Sequence, residues 1–399
     1  MAKFIGHQAA WTFFFTVIRP FVRPLIGYRY QREKRIVGPA IIMGNHNLDI
    51  DIGLLGLSYR QAMRVVASEH IFRKGIVTTL IKLFFRPIVR MKGKTEIRTV
   101  RDILNVINAG GLVSLFPEGN RSYNGLTGEI TQATASLVRL AKCQLITYRI
   151  EGGYFKHPRW ARKGRRGPVS GREVGRYSAQ ELQAMTTEEV HALIRRDLHE
   201  DAYARQKLAP ARYTGKNLAQ SIETALYLCP HCKQASTIQS QDDRFFCTCG
   251  LDMRYTETGM LKSANARQAP YTTITDWDLW QQEQTRELVC RAGDGVIAKD
   301  EGLSLYSIIP CKSDELMATG ALSITRAALT CGEVLFPLEE ISDLAIIDLN
   351  TLVFETRSGG YFEIRSRSAY SALKYRRIYL YCKNNAKGAC DVPTDDAQS

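Results

Sequence analysis

The sequence has no apolar run long enough to cross a bilayer. The apolar run near its start, residues 11–18, ends after eight residues at Arg19 and Pro20. A membrane-spanning helix needs about 20 apolar residues, and no small-residue cleavage site follows the run. We therefore expect neither a signal peptide nor a membrane span here. The sequence also lacks an internal repeat, which excludes a repeat array.

Acidic residues are in deficit, because 40 Asp and Glu stand against 54 Lys and Arg, giving a net charge of +14 and a pI of about 9.3. This surplus favours anionic partners, namely nucleic acid, acidic lipid headgroups or phosphorylated substrates. Charge alone does not choose among them. The apolar and charged fractions, 45% and 24%, are average, so we expect a mostly folded chain. A chain of 399 residues is long enough for two or three domains.

Residues 1–34 combine aromatic and basic side chains in a way that suits a helix lying in a lipid interface. The side chains concerned are Trp11, Phe13, Phe14, Phe15, Arg19, Arg23 and Arg32. A helix of the protein core is the alternative, and the sequence does not decide between the two. On the first interpretation, the protein is cytoplasmic and associates peripherally with the inner face of the membrane.

Residues 35–225 are predicted to form one α/β domain, since short apolar runs alternate with amphipathic stretches up to residue 151. The apolar runs predict strands over residues 40–43, 64–67, 112–116 and 145–150. Between the second and third strands, apolar residues recur at helical spacing from Ile97 to Ile107, and Thr95 is placed to cap that helix. We expect a mixed sheet with flanking helices.

The second half of this domain is less regular. Glycine, proline, arginine and lysine fill residues 155–176, which predicts an exposed basic loop that either faces an anion or is merely solvated. Thr186 and Glu189 form a capping box, and an apolar face follows from Val190 to Leu198. A further helix is predicted over residues 217–227.

Three regions and a tail follow. They are a cysteine-rich segment at 226–260, a linker at 261–285, a β-rich domain at 286–390 and a disordered tail at 391–399. Strands are predicted over residues 322–324, 332–336, 344–347, 352–355 and 361–364, with a helix over 369–381. Antiparallel strands capped by one C-terminal helix resemble the pleckstrin-homology or GRAM type of domain, at the level of the fold alone.

Residues 45–51, Asn-His-Asn-Leu-Asp-Ile-Asp, directly follow the first predicted strand. Folds of the α/β class build sites at strand ends, and a histidine beside a carboxylate can take a proton from a hydroxyl near neutral pH. Residues five apart in a regular helix sit about 140° from each other, so helical spacing alone would pair His46 with Asp49. Asp51 reaches His46 only if the segment is a turn that enters a helix.

The spacing His46-x-x-x-x-Asp51, followed about seventy residues later by Phe116-Pro117-Glu118-Gly119-Asn120-Arg121-Ser122, resembles the lysophospholipid acyltransferase family. Members of the 1-acylglycerol-3-phosphate acyltransferase type belong to it. The resemblance implies that His46 is the general base and that Asp51 orients it. It also implies a role in phospholipid biosynthesis, in which an acyl-CoA or acyl-ACP thioester donates its acyl group. The acceptor would be the hydroxyl of 1-acyl-sn-glycerol-3-phosphate or of a related lysophospholipid or glycerophosphate.

Four substrate-binding residues follow from the same resemblance. Arg90 matches the family's phosphate-contacting arginine, Gly119 lets a substrate approach the backbone, and Arg121 offers a planar guanidinium to a phosphate. Glu118 would support either that loop or the acceptor. The residues usual in the family are replaced at three positions, Leu48, Ser68 and Asn120. The acceptor headgroup is therefore left open.

Four of the ten cysteines lie in one short segment, at Cys229, Cys232, Cys247 and Cys249. Two pairs at this separation can bring four thiolates around one tetrahedral Zn²⁺, and Gly250 suits a tight turn after the second pair. His231 is an alternative ligand. Because a closed four-thiolate site leaves no position for water, we expect a structural zinc ribbon. Cysteines used in this way indicate a reducing compartment.

A second hypothesis uses the same charge and the same ribbon: a zinc-ribbon module that binds nucleic acid or protein and has no acyltransferase activity. It rests on the Arg and Lys residues between 156 and 176. However, it leaves the two motifs around His46 and Glu118 unexplained. Segment 236–243 of the ribbon is also polar to acidic, whereas a nucleic-acid-binding ribbon should be basic. We therefore expect the partners to be an acyl thioester, a lysophospholipid or glycerophosphate and a membrane surface, and not nucleic acid.

Overall fold

The computed structural model describes residues 2–69, 72, 76–90, 97–265, 268–308, 314–367 and 370–385. Thr95, the predicted helix cap, and the predicted tail at 391–399 lie outside the described residues. Within the described ranges, none of the helices is both long enough and apolar enough to span a membrane.

The first unit contains a mixed sheet, as predicted, and this sheet has seven strands. Its strands are β1 Tyr28–Tyr30, β2 Ala40–Gly44, β3 Arg64–Ser68, β4 Ile88–Arg90, β5 Leu112–Leu115, β6 Gln144–Glu151 and β7 Val169–Tyr177. They are arranged in the order β1-β7-β6-β2-β5-β3-β4. Neighbouring strands are parallel except for the antiparallel pair β6 and β7. The four predicted strands are confirmed with small shifts at their ends.

Helices cover this sheet. They are α1 Ala2–Phe21, α2 Asp51–Ser58, α3 Ile76–Phe85, α4 Ile97–Asn108, α5 Gln132–Ala141, α6 Gly153–Lys156, α7 Ala179–Ala184, α8 Thr187–Leu198 and α9 Ala202–Leu208, with a π-helical turn at Val22–Ile26. The helix predicted from Ile97 is α4, and the capping box of Thr186 and Glu189 opens α8. Helix α1 packs on α3 through ring contacts of Trp11 and Phe14 with Phe85.

The second unit is a small antiparallel sheet. Its strands are β8 Ile238–Gln241, β9 Arg244–Cys247, β10 Asp252–Tyr255 and β11 Leu261–Ser263, in the order β11-β10-β9-β8. It does not stand apart, because Cys229 and Phe245 share a buried cluster with Phe155 and Trp160 of the first unit. Helix α10, Ile274–Arg291, joins the same cluster through Trp277.

The third unit is a seven-stranded antiparallel sheet with a C-terminal helix, α11 Ala372–Asn385. The strands are β12 Ala298–Ser307, β13 Glu315–Ile324, β14 Ala328–Cys331, β15 Val334–Pro337, β16 Ile341–Ile347, β17 Thr351–Thr356 and β18 Tyr361–Ser366. Their order is β15-β14-β13-β12-β18-β17-β16. The β-rich region and its closing helix are confirmed, while the assignment to the pleckstrin-homology or GRAM type stays a prediction.

Two secondary-structure predictions are wrong. Residues 217–227 hold only a short 3-10 turn, Ile222–Thr224, because Asn217 and Ser221 adopt positive φ values that interrupt a helix. The predicted linker at 261–285 contains β11 and most of α10, whose first turn is capped by the side chain of Thr273. The buried face of α10 includes polar side chains, which masks the apolar periodicity: Thr275, Asp278, Gln281 and Thr285.

Arg162, Lys163 and Arg166 are exposed, as the prediction of a basic loop at 155–176 requires, but other parts of this segment differ from the prediction. Its end is strand β7, and Arg159 and Arg165 are each only 5% exposed. Arg159 donates a hydrogen bond to the carbonyl of Ile346 and lies over the ring of Tyr123. These cations make contacts inside the protein, so the surface charge that supports the nucleic-acid hypothesis is smaller than the sequence suggests.

Candidate active site and metal site

Two loops leave adjacent parallel strands at one edge of the first sheet. The histidine loop, residues 45–50, follows β2, and the motif loop, residues 116–128, follows β5. Arg90 is the last residue of β4 and lies at the same edge. Parallel strands end on the same side, so the topology brings the predicted residues of three separate segments to one place.

His46 and Asp51 are in direct contact. His46 Nδ1 lies 3.0 Å from Asp51 Oδ2, and the same oxygen accepts hydrogen bonds from the backbone N–H groups of Asn47 and Leu48, at 2.6 and 2.8 Å. Asp51 is fully buried and begins α2, so the segment is a turn that enters a helix. The geometry that pairs His46 with Asp51 is therefore present.

The imidazole of His46 packs on an aromatic ring and is partly exposed. Its ring stacks on that of Phe116, with centroids 4.9 Å apart, and its side chain is 23% exposed. Because Asp51 accepts from Nδ1, the tautomer that satisfies this contact leaves the lone pair on Nε2. Among the described residues, no hydrogen-bond partner of Nε2 is found.

The motif loop holds the backbone of His46 from both sides. Glu118 Oε1 accepts from the N–H of His46 at 2.6 Å, and the N–H of Ser122 donates to the carbonyl of His46 at 3.1 Å. The other carboxylate oxygen of Glu118 accepts from the N–H of Gly128. Burial raises the pKa of Glu118 to about 8, although its two backbone donors act in the opposite direction. Both oxygens of Glu118 are used within the loops, which favours a supporting role over contact with the acceptor.

Gly119 and Arg90 lie side by side. Gly119 has φ +68°, in the left-handed region where a side chain is strained, and it closes a turn back to Phe116. A Cβ at this position would lie 3.6 Å from Arg90 Nη1, so the exposed guanidinium of Arg90 reaches the turn. The two predicted substrate-binding residues are therefore neighbours.

Arg121 lies deeper than the sequence suggests. Its side chain is 8% exposed, its Nε lies 3.1 Å from Asp49 Oδ1, and its Nη1 donates to the carbonyl of His157. Asp49 is itself 69% exposed. Thus the carboxylate that helical spacing would pair with His46 instead pairs with Arg121. Contact between Arg121 and a substrate phosphate stays a prediction.

Glu200 is a buried carboxylate that the sequence does not reveal. Its Oε2 accepts from the side-chain amides of Asn47 at 2.6 Å and Asn45 at 3.2 Å, the two residues that flank His46. Its Oε1 accepts from the N–H of Gly152 and from Arg205. Burial raises the pKa of Glu200 to about 7, against the opposing effect of Arg205. Glu200 follows α8 with no local pattern around it, so only the three-dimensional contacts identify it.

The four predicted cysteine ligands converge. Their Sγ atoms all lie within 4.8 Å of one another, with Cys229 to Cys249 at 3.6 Å and Cys232 to Cys247 at 3.7 Å. A Zn–S bond of about 2.3 Å in a tetrahedron requires sulfur atoms about 3.8 Å apart, so the arrangement fits zinc. Gly250 has φ +91° and donates to the carbonyl of Cys247, which makes the predicted turn.

A family model matches the part of the chain that contains the histidine loop and the motif loop. Residues 27–151 match the Acyltransferase family model. This segment of the chain is therefore similar to an acyltransferase domain. The matched segment includes the histidine loop, Arg90 and the motif loop, but it covers less than half of the chain and ends before Glu200.

Two solved structures are similar to parts of the chain. One is the 1-acyl-sn-glycerophosphate (LPA) acyltransferase PlsC from Thermotoga maritima, with 16% identity and a TM-score of 0.36 over 46% of this chain and 78% of that one. The other is the N-terminal PH domain of human ARAP2, with 12% identity and a TM-score of 0.20 over 26% of this chain and 91% of that one. TM-scores this low support no conclusion about the fold or the function of this chain. A comparison with curated proteins finds no significant match.

Proposed function

We propose that the protein transfers an acyl group from a thioester to a hydroxyl of a lysophospholipid or glycerophosphate, with His46 as the general base. The observation that carries the proposal is the contact between His46 Nδ1 and Asp51 Oδ2 at 3.0 Å, inside the segment that matches the Acyltransferase family model. Asp51 orients the ring so that Nε2 can accept a proton.

The reaction follows from this tautomer. His46 Nε2 takes the proton of the acceptor hydroxyl while its oxygen attacks the thioester carbonyl carbon. The tetrahedral intermediate then collapses, the C–S bond breaks, and the thiolate that leaves receives the proton from His46. The products are an ester and a free thiol, and the thiol belongs to coenzyme A or to an acyl-carrier protein.

The acceptor is proposed to bind between Arg90 and the motif loop. Arg90 is exposed beside Gly119, where its guanidinium can form paired hydrogen bonds with a phosphate. Arg121, which is buried in the same loop, would add positive charge to the phosphate site, although its Nε faces Asp49. Glu118 would support the loop. A phosphate on the acceptor is thus the feature that we expect this site to select, as in 1-acyl-sn-glycerol-3-phosphate.

A membrane surface is the proposed location of the reaction. Phe13, Val17 and Phe21 are four residues apart on α1 and are 65%, 49% and 57% exposed, while Trp11 and Phe15 on the other side are buried. One face of α1 therefore packs in the protein core, and another face exposes apolar side chains to solvent. Exposed Arg23 and Arg29 follow it, which suits anionic headgroups. We propose peripheral attachment to the inner, cytoplasmic face of a membrane.

The four cysteines are proposed to hold a structural zinc ion. Thiolates of Cys229, Cys232, Cys247 and Cys249 would fill all four positions of the tetrahedron, so no water could be activated there. The ion would stabilise the junction at which the second unit packs against the first, since Cys229 and Cys247 belong to the shared buried cluster.

The test is an acyl-transfer assay with the purified full-length protein. Radiolabelled acyl-CoA and acyl-ACP are offered with lysophosphatidate, other lysophospholipids and glycerol 3-phosphate as acceptors. We expect transfer to a phosphate-bearing acceptor. Transfer to none of them contradicts the proposal and favours the hypothesis of a binding module.

A further inference from the structure

Helix α10 contacts the motif loop, although it begins about 150 residues later in the chain. Asn124 in the loop donates from its side-chain amide to Asp278 Oδ2 at 3.0 Å. The backbone carbonyl of Asn124 accepts from the hydroxyl of Thr275 at 2.7 Å. Both Thr275 and Asp278 belong to the buried face of α10. One loop residue is thus held through its side chain and its main chain at once.

Asp278 is itself fixed. It is 1% exposed, and Arg377 of α11 donates to both of its oxygens at 2.7 Å. The side chains of Gln281 and Gln282 donate to it as well. A buried carboxylate with a bidentate arginine partner is a rigid anchor, because any movement would leave a charge without its partner. The motif loop is therefore tied through α10 to the third unit.

The loop residue that contacts α10 is close in sequence to the loop residue that contacts His46. Asn124 is two residues from Ser122, whose N–H donates to the carbonyl of His46. Ser122 Oγ also accepts from the N–H of Gly125, and Asn124 Oδ1 accepts from the N–H of Leu126. The contacts made by Asn124 thus set the path of the residues that follow Arg121.

We propose that Thr275 and Asp278 are positioning residues for the motif loop, so that α10 and the third unit set the geometry of the acceptor site. Neither residue touches the reacting atoms; both act through Asn124. The inference rests on the proposed function. It explains why a helix with a polar buried face lies between the acyltransferase domain and the C-terminal sheet.

Asn124→Ala and Thr275→Val test the proposal, because both remove a loop contact and leave the pair of Asp278 and Arg377 intact. Thr275→Val is nearly isosteric and serves if Asn124→Ala folds poorly. Gln282→Ala is the matched control, since it removes a hydrogen bond of 2.9 Å to the same Asp278 oxygen without touching the loop.

The first readout is amide hydrogen exchange of residues 116–128 in the full-length protein. We expect exchange at the N–H groups of Ser122 and Gly125, whose acceptors are not removed by either substitution, to accelerate about tenfold or more in the two loop variants and not in the control. The second readout is steady-state kinetics. We expect the acceptor KM to rise about tenfold to a hundredfold with little change in the donor KM, since a small displacement of binding groups has effects of this size.

Exchange and kinetics that match the wild type in both loop variants would overturn the proposal. A wild-type protein without acyl transfer would instead refute the proposed function, and the exchange data would then decide the inference alone. An equal rise of both KM values and a uniform rise of exchange over the chain would indicate general destabilisation and would also contradict it.

Discussion

The side-chain amide of Asn47 donates a hydrogen bond to Glu200 Oε2 at 2.6 Å, which joins the histidine loop to a carboxylate 153 residues further along the chain. Asn45, on the other side of His46, donates to the same oxygen. Glu118 and Ser122 hold the backbone of His46 directly. The orientation of His46 therefore depends on two sets of contacts. One set comes from the motif loop, and the other comes from Glu200, which lies outside both sequence motifs.

Glu200→Ala should lower activity although Glu200 touches no reacting atom. The substitution leaves the N–H of Gly152 without an acceptor and removes one of the two acceptors of the Asn45 and Asn47 side-chain amides, which keep the carbonyl of Ile150. Each buried N–H left unpaired costs about 1–3 kcal/mol of stability. Acyl transfer and the thermal midpoint of unfolding should fall together. Glu200→Gln keeps an acceptor and should retain more of both. Equal activity of wild type and Glu200→Ala would contradict this role.

Stability should fall as the pH rises through the titration of Glu200. Its pKa is raised by burial from the ordinary 4.5 to about 7, so the folded state binds more protons than the unfolded state between these values. The stabilising contribution is complete below pH 4.5 and is lost once the pH exceeds 7. Urea unfolding from pH 4.5 to 8 should show a steeper decline for the wild type than for Glu200→Gln. Parallel curves would refute the assignment.

Zinc should bind with one ion per chain and should support folding rather than chemistry. Cys229→Ser is expected to remove the metal, measured by mass spectrometry of the purified protein, and to lower the thermal midpoint. Cys143→Ser changes a buried cysteine outside the cluster and should leave the metal content at one. A chelator that stopped turnover at once in protein that stays folded would contradict a purely structural ion.

The exposed face of α1 should drive binding to lipid. Phe13→Ser and Phe21→Ser are each expected to weaken binding to phosphatidylglycerol-containing vesicles by about tenfold to a hundredfold, because a phenylalanine that enters the interface contributes about 1.5–3 kcal/mol. Leu208→Ser alters another exposed apolar side chain, 89% exposed, and is the control. Flotation with vesicles measures the effect. Equal binding by all variants would place the lipid contact elsewhere.

The sequence predicts the parts of the site that depend on local patterns. His46 and Asp51 are five residues apart after a strand, and the four cysteines lie within one short segment, so neighbouring residues carry both predictions. The strands that bring the loops together are short apolar runs, which their composition reveals. Arg90 lies at the same edge because it ends strand β4, and the sequence points to it only through its match to the family's phosphate-contacting arginine.

The parts that escape prediction depend on distant contacts. Glu200 and Asp278 are single carboxylates whose importance comes from Asn47 and Asn124, and no spacing links these pairs. Helix α10 is not predicted because its buried face includes polar side chains. The burial of the basic segment around Arg159 is not predicted because arginine is usually exposed. Arg159 is buried because a carbonyl and an aromatic ring receive its guanidinium.

The central claim is that His46 takes the proton of the acceptor hydroxyl. The most direct measurement compares single-turnover acyl transfer by the wild type and by His46→Ala, with both proteins saturated by donor and acceptor. A rate that falls by about 10² to 10⁴, with an unchanged thermal midpoint, is the predicted result. An unchanged rate in a folded His46→Ala protein would contradict the account.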